Sequence, residues 1–282
     1  MIAIPSLFSR LCDDAAMFPP GNAPFSRAVS DHFQHLESPH SDLMGPFVLP
    51  ADKLPGLTSL LAGRDEGSLD IAVTAALNEV ASVLARAADL PGAELMAIEV
   101  SVPKDSSPAS VVDALDTNLG GARPPLVFVE IPRDDRRSVM IRALAGTGFR
   151  AKFRTGGVRM DDYPDVNELA DTILTAVAAE VEFKATAGLH HAIRNDDPRT
   201  GASQHGFLNL IAAADAARSG ERADVVEQLA ERQPDLLTER IHSIDHMVRR
   251  TFLSFGTCSI DEPVNELTSL GLLEPVVTGD LR

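Results

Sequence analysis

Residues 95–119 read LMAIEVSVPKDSSPASVVDALDTNL. The opening LMAIEVSV is a short, mostly apolar run of the kind a buried strand needs. A polar turn follows, with Ser107 placed to cap a helix and Pro108 at its first position, where a missing N–H costs nothing. The remainder, SVVDALDTNL, has apolar residues at helical spacing. Strand, turn and helix thus follow one another in one short stretch, and the unit recurs on both sides of it. Phe47-Val48-Leu49 precedes a helix near 51–62, and Leu69–Ala75 precedes ALNEVASVLARAADL. Leu126–Ile131 leads into a helix near 134–145, and Ala151–Thr155 into one near 164–180. Val181–Thr186 precedes a longer region. Phe252–Thr257 precedes Ser259-Ile260-Asp261-Glu262, a capping box that opens the last helix.

Those are seven strands, and an eighth is placed at Asp14–Phe18 (DAAMF), with Ser6–Leu11 before it open to a helix. Strands alternating with helices make a parallel sheet, because parallel neighbours need crossovers. Eight such units in about 250 residues predict an α/β fold of the (β/α)8 TIM-barrel type. It is expected as one domain over residues 1–282, with extra helices inserted at 192–250 before the last strand. Those helices are placed near 206–218 and 224–250, with Gly220 as a stop signal. An open doubly wound sheet is the alternative, but no Gly-rich fingerprint follows the first strand.

Composition narrows the function. The 282 residues carry 25 Lys+Arg against 41 Asp+Glu, a formal net charge of −16, and no Trp. That balance argues against nucleic acid as a partner, since neutralising phosphates takes a surplus of cations. It argues equally against a basic face on anionic lipid. The two cysteines, Cys12 and Cys258, make neither a disulfide framework nor a zinc site. No signal peptide and no apolar run of the roughly 18–20 residues needed to cross a membrane is visible. A cytoplasmic protein is expected, with no membrane partner, and Ala- and Leu-rich helices that leave room for a homo-oligomer.

In a barrel the chemistry sits at the C-terminal ends of the strands. Four predicted strands carry ionisable residues there: Glu99, Glu130, Lys152 and Lys184. Arg154 shares a face with Lys152, and Thr186 with Lys184, because strand side chains alternate. Buried charges are costly unless paired, so such a cluster marks a site more readily than a plain core. Lys152 and Lys184 would lie on neighbouring strands, where a second ammonium and a partly dry pocket both favour a free amine. Such an amine can add to a carbonyl and form a Schiff base, with Glu99 or Glu130 moving protons or holding the lysines.

Turns follow in register: Thr155-Gly156-Gly157, Ala187-Gly188 and Gly256-Thr257-Cys258-Ser259. Backbone N–H groups at such places bind phosphate. Asp13-Asp14 are candidates for substrate or Mg²⁺ contact, or for a turn, and Asp14 is carried forward as a substrate contact. His190-His191 and Gln204-His205 could act at the barrel mouth, with His190 the stronger candidate. No metal site and no cofactor is expected. His32, His35 and His40 read as surface. Cys258 reads as small-residue packing in place of a nucleophile. Eight of the 25 basic residues fall between Arg133 and Arg159, which predicts a basic mouth that could focus a small anionic metabolite onto Lys152.

These residues resemble the deoxyribose-phosphate aldolase family of class I aldolases. Lys152-Phe153-Arg154-Thr155-Gly156 is similar to the family's Lys-x-x-Thr-Gly strand, whose Lys forms the Schiff base. Phe183-Lys184-Ala185-Thr186-Ala187-Gly188 resembles its Val-Lys-Pro-Ala-Gly-Gly strand, whose Lys perturbs the first. Phe255-Gly256-Thr257-Cys258-Ser259 resembles its final phosphate turn. Glu99 falls where the family has a strand carboxylate for proton transfer, and Glu130 at an Ile-Glu strand end. The chain departs from the pattern at Arg154, at Leu189-His190-His191, at Glu99 in place of Asp, and in the insertion at 192–250.

The resemblance implies a lysine-dependent carbon–carbon lyase acting on a small anionic carbonyl compound, such as a sugar phosphate. Lys152 would be the nucleophile and Lys184 its modulator, with Glu99 and Glu130 beside them. The anion would be held by Arg154, Thr155, Gly156, Gly157, Thr186, Gly188, His190, Gly256, Thr257 and Ser259. Two other readings stay open. One is a barrel lyase, isomerase or transferase whose Lys and Arg clamp a carboxylate or phosphate without a Schiff base. The other is a non-catalytic protein that binds an anionic metabolite.

Overall fold

Alternate residues of a strand point to opposite faces, and in this chain the two faces carry different chemistry. The structure, a computed structural model, describes residues 4–62, 68–120, 126–198 and 200–275. Eight parallel strands close into a barrel: β1 (Cys12–Asp14), β2 (Met44–Pro50), β3 (Leu69–Ala76), β4 (Ala93–Ser101), β5 (Leu126–Glu130), β6 (Arg150–Arg154), β7 (Phe183–Thr186) and β10 (Phe252–Thr257). Between β7 and β10 a small hairpin pairs β8 (Asn195–Asp196) with β9 (Ser203–Gln204). Each of β2 to β7 hydrogen-bonds to its sequence neighbour, and β1 pairs with both β2 and β10, so no edge is left open.

The helices between strands are α1 (Phe25–Leu36), α2 (Leu54–Leu61), α3 (Val80–Ala88), α4 (Pro108–Leu119), α5 (Arg137–Ala143) and α6 (Val166–Ala178). The longer connection after β7 adds α7 (Phe207–Ala216), α8 (Arg222–Ala230) and α9 (Pro234–Ser243), and α10 (Asp261–Ser269) follows the last strand. Helix α4 shows how the local sequence does this. The Ser107 hydroxyl accepts from the Ser110 N–H at 3.2 Å, Pro108 opens the first turn, and Val111, Leu115 and Leu119 are buried in one stripe. Gly120 then ends the helix in the left-handed conformation at φ 59°.

Two apolar layers result. The larger lies between sheet and helices. It takes the outward strand residues, such as Ile71, Val73, Ile98, Val100, Val127, Val129, Ala151 and Phe153. The smaller plugs the inside of the barrel with Val48, Ala72, Ala97 and Phe128, backed by Ala15, Phe18 and Leu253. Above that plug the inward positions turn polar, which is where the site begins.

The sequence reading needs correction in four places. The first strand is Cys12–Asp14, not Asp14–Phe18, and Ser6–Leu11 is a run of turns, not a helix. The first strand pairs with the last at only three positions, so no long apolar run announces it. The helix expected over 224–250 is two helices and a 3-10 turn, because Pro234 starts a new helix. His32 and His40 are buried, not exposed. His32 sits on the inner face of α1, where its Nδ1 meets Asp14 Oδ2 at 2.8 Å and its ring packs on Phe47.

Neutral groups share in tying down the insertion, beside ion pairs such as Arg240–Asp215 and Arg222–Asp171. Buried Asn209 accepts from the Arg194 N–H at 2.8 Å and donates to the Gln228 and Glu231 carbonyls at 2.7 and 2.9 Å. Arg249 does similar work at the opposite end of the barrel. Its guanidinium donates to the carbonyls of Leu7, Ser9, Phe252 and Leu253, joining the segment before β1 to β10.

Candidate active site

Strand register brings the charged residues to one height. Glu130 pairs with Lys152 across β5 and β6, and Lys152 with Lys184 across β6 and β7. All point inward because each lies an even number of residues from an apolar plug position or from another site residue on its own strand. Ala97 leads to Glu99, and Phe128 to Glu130. Asp13 reaches the same level from β1, beside Gly256 of β10.

Together these side chains form a chain of alternating charge. Asp13 Oδ2 accepts from Ser254 Oγ at 2.8 Å and from Lys184 Nζ. Lys184 Nζ also donates to Glu99 Oε1 at 2.5 Å. Glu99 Oε2 lies 3.0 Å from Lys152 Nζ, which lies 2.9 Å from Glu130 Oε2. Glu130 Oε1 accepts from Arg154 Nε at 3.2 Å. Three carboxylates and three cations therefore cancel inside the barrel, which is how charges survive away from water. Lys184 Nζ also sits 5.3 Å from the centre of the Phe128 ring.

The expectation of a free lysine amine is not met in this resting arrangement. Burial pulls the Lys152 ammonium down, but Glu99 and Glu130 outweigh it, and the pKa ends above the ordinary lysine value. Lys184 is raised in the same way, burial being opposed by Asp13 and Glu99. The physical reason is placement: Glu99 stands between the two ammonium groups, so each feels a carboxylate first. Burial works against ionisation of Glu99 too, but the lysines hold its carboxyl down at about 2. Asp13 is raised by burial despite Lys184.

Above the chain of charges opens a cavity of about 600 Å³, lined by residues from every barrel strand except β1 and by the loops beyond. Lys152, Glu99, Glu130, Arg154, Thr186, Gly157, Gly188, His190 and Gly256 are on its wall. Lys184 is not, although it is the neighbour of Lys152; it is 1% exposed, and Lys152 5%. Thr155, Gly156, Thr257, Ser259 and Asp14 lie behind the wall. Thr155 donates to the Ala187 carbonyl at 2.7 Å, and a Cβ on Gly156 would stand 2.7 Å from Gly188 Cα, so these residues lock two loops together. Asp14 faces away from the barrel axis toward His32, and its other oxygen accepts from the Ala16 N–H at 3.1 Å.

No protein-family model matches the sequence, and no curated protein matches it. A comparison with solved structures does find matches. In fold, the chain resembles a deoxyribose phosphate aldolase. The enzyme from Aeropyrum pernix, described as having a unique tetrameric structure, superimposes with a TM-score of 0.50 at 16% identity, over 94% of this chain and 92% of that one. A dihydrodipicolinate synthase from Oceanobacillus iheyensis gives a TM-score of 0.41 at 11% identity, over 94% and 96%. The likeness to the deoxyribose phosphate aldolase runs along nearly the whole chain, and it is a likeness of fold.

Several side chains of the site escaped the sequence reading. Asp13, not Asp14, faces the site, because one residue of strand shift exchanges the inward and outward faces. Ser254, which holds Asp13, follows Leu253 of the inner plug in a strand whose register shifts between Phe252 and Phe255, so alternation does not mark it as inward. Glu79, Asp52 and Asp162 line the cavity from loops and short turns, where no periodicity points inward. Cys258 is on the wall as well, its Sγ 3.7 Å from His190 Nδ1, and burial pushes its thiol up. His190 and His191 both turn toward α10, meeting Glu262 at 3.3 Å and Glu266 at 2.5 Å. His205 is remote from the cavity, between the Pro164 carbonyl and Arg194. Among the described residues no cluster of side chains is arranged to hold a metal ion, and no helix is long and apolar enough to cross a membrane.

The basic stretch Arg133–Arg159 also differs from its expected role. Arg133 and Arg137 pair with Glu168, Arg136 with Asp134, Arg150 with Glu182 and Arg159 with Asp161. Of the eight cations only Lys152 and Arg154 reach the cavity wall.

Proposed function

We propose that the chain is a lysine-dependent carbon–carbon lyase of the class I aldolase kind, with Lys152 as the residue that forms the Schiff base. One observation carries this reading: of the two lysines buried in the barrel, Lys152 alone lines the cavity, and it does so between two carboxylates.

The electrostatics suit that role. Glu99 and Glu130 hold a positive charge at Lys152 Nζ, and an iminium carries the same charge at the same atom. For the bond to form, the ammonium first passes a proton to Glu130, the more exposed of its two partners. The neutral amine adds to the substrate carbonyl, Glu130 returns its proton to the oxygen, and water leaves. The iminium then accepts the electron pair of the Cα–Cβ bond as it breaks, while the β-hydroxyl passes its proton to Glu130 and that fragment leaves as an aldehyde. Glu130 returns the proton to the enamine carbon, and hydrolysis restores the amine. Lys184 stays charged, orients Glu99, and is a positioning residue.

The test is reductive trapping. Acetaldehyde with sodium cyanoborohydride is expected to add one ethyl group at Lys152, located by peptide mass mapping, and Lys152→Ala is expected to lose it. Label that falls elsewhere, or none, overturns the reading. A second reading is favoured by the raised Lys152 pKa: a permanently charged Lys152 and Arg154 that orient a substrate without covalent bonding. In that case Lys152→Arg keeps measurable activity, whereas a Schiff-base enzyme loses nearly all of it.

A further inference from the structure

The walls of the cavity carry information about substrate charge. Carboxylates on it are those of Asp52, Glu79, Glu99, Glu130 and Asp162, against the basic side chains of Lys152, Arg154 and His190. Both permanent cations are already engaged: Lys152 by Glu99 and Glu130, Arg154 by Glu130. Asp52 pairs with Lys53, outside the cavity, at 3.2 Å. Glu79 and Asp162 form no ion pair among the described residues. Glu79 Oε2 accepts from the Ala76 N–H at 2.8 Å, and Asp162 lies near enough to Arg133 to add to the rise that Glu168 sets in its pKa, without a direct contact. An incoming anion therefore meets no unpaired cation on the wall and two carboxylates without a directly bound cation.

The turns where a barrel would seat a phosphate show the same thing. Beyond β6, the Asp162 carboxylate lies over Gly157, so close that a Cβ there would stand 2.3 Å from Oδ2, and that oxygen accepts from the Arg159 N–H at 2.9 Å. Beyond β10, the Ser259 N–H is used by Thr257 Oγ1 at 3.3 Å, and Ser259 Oγ accepts from the Glu262 N–H at 3.4 Å. Glu262 itself stands in the first turn of α10 against His190. Side chains of the chain itself thus take N–H groups of both turns, a carboxylate beyond β6 and hydroxyls beyond β10, where a phosphate would otherwise gain.

We propose that this cavity takes an unphosphorylated carbonyl compound, uncharged or cationic, and excludes phosphate esters. The inference rests on the Schiff-base reading of Lys152 and replaces the anionic substrate expected from the sequence. A phosphate would bring further negative charge onto a wall that already has too much, whereas a hydroxyl or ammonium group finds acceptors in Glu79 and Asp162.

The experiment compares two aldehydes that differ by the phosphate alone. The protein is treated with cyanoborohydride and either glyceraldehyde or glyceraldehyde 3-phosphate at equal concentration. Labelling is counted at Lys152 only and divided by the rate for free N-acetyl-lysine. Glyceraldehyde is expected to label at least tenfold faster, and the double variant Glu79→Gln, Asp162→Asn to narrow that ratio severalfold. Equal or faster labelling by the phosphate ester overturns the inference and leaves Lys152 as the nucleophile. No labelling by either aldehyde overturns the Schiff-base reading, and the inference with it.

Discussion

Two regions of this molecule bury polar groups, and they do so in opposite ways. On the barrel axis six charged side chains neutralise one another, from Asp13 through Lys184, Glu99, Lys152 and Glu130 to Arg154. In the insertion, Asn209 and His205 are as deeply buried but carry no charge, and their partners are mostly backbone groups. His205 donates from Nε2 to the Pro164 carbonyl at 2.8 Å and accepts at Nδ1 from Arg194 at 3.1 Å, an arrangement that needs the neutral ring. Charge is kept at the cavity wall and directly beneath it, with Lys152 and Glu130 on the wall and Lys184 and Asp13 below. At Asn209 and His205, which fasten helices, neutral donors and acceptors suffice without the desolvation cost of an ion.

The contrast can be broken most severely at Lys184. Lys184→Met leaves Asp13 and the inner oxygen of Glu99 buried without their cation, a loss expected to cost about 3–5 kcal/mol of stability in urea unfolding. Labelling at Lys152 should fall as well, since Glu99 is no longer held in place. Unchanged stability would mean that the ion chain is not what organises the barrel interior.

The insertion should instead show itself in acid. Burial lowers the His205 pKa from 6.5 to about 4; the Pro164 carbonyl opposes the shift, Arg194 adds to it, and Asp165 and Glu168 oppose it. Between those values the unfolded chain takes up a proton that the folded one refuses, so stability falls as pH drops from 6.5 towards 4. The loss is about 3 kcal/mol at most. His205→Gln, which keeps a donor for Pro164, should flatten that part of the profile. Glu99, held to about 2, works in a lower window: the stability it confers is present above its ordinary value of 4.5 and is lost as pH falls towards 2.

The smallest effect is expected at the cavity rim. Ala187 holds φ at 64°, a left-handed conformation that costs an L-residue roughly 1–2 kcal/mol. Ala187→Gly should therefore raise stability by about 1 kcal/mol in thermal or urea unfolding. No gain would show that the methyl group's contacts offset the strain.

How much of this was legible depended on periodicity. The barrel could be read because strand and helix alternate with distinct spacings, and LMAIEVSV and its counterparts fall where the strands lie. Lys152, Lys184, Glu99 and Glu130 stood out as charges inside apolar runs, and the structure brings all four together. What could not be read was sidedness without a run to set it. Asp13 and Asp14 differ only in which face a three-residue strand turns inward. Nor could the sequence show that Arg133, Arg137 and Arg150 would be spent on Glu168 and Glu182, because those partnerships cross between elements. Asp162 and Glu79 were invisible for the same reason: turns have no period.

The closing seam of the barrel has a further consequence for how the protein comes to exist. Lys184 depends on Asp13, and Asp13 on Ser254, so two residues near opposite ends of the chain meet at the charged centre. Arg249 ties the same two ends together from below. As the chain leaves the ribosome, Asp13 emerges before its partners, which lie 171 and 241 residues further on. Closing so long a loop is costly in chain entropy and comes late. An unfinished chain therefore holds Lys152 and Glu99 without the completed ring of charges, which forms only when the first and last strands join.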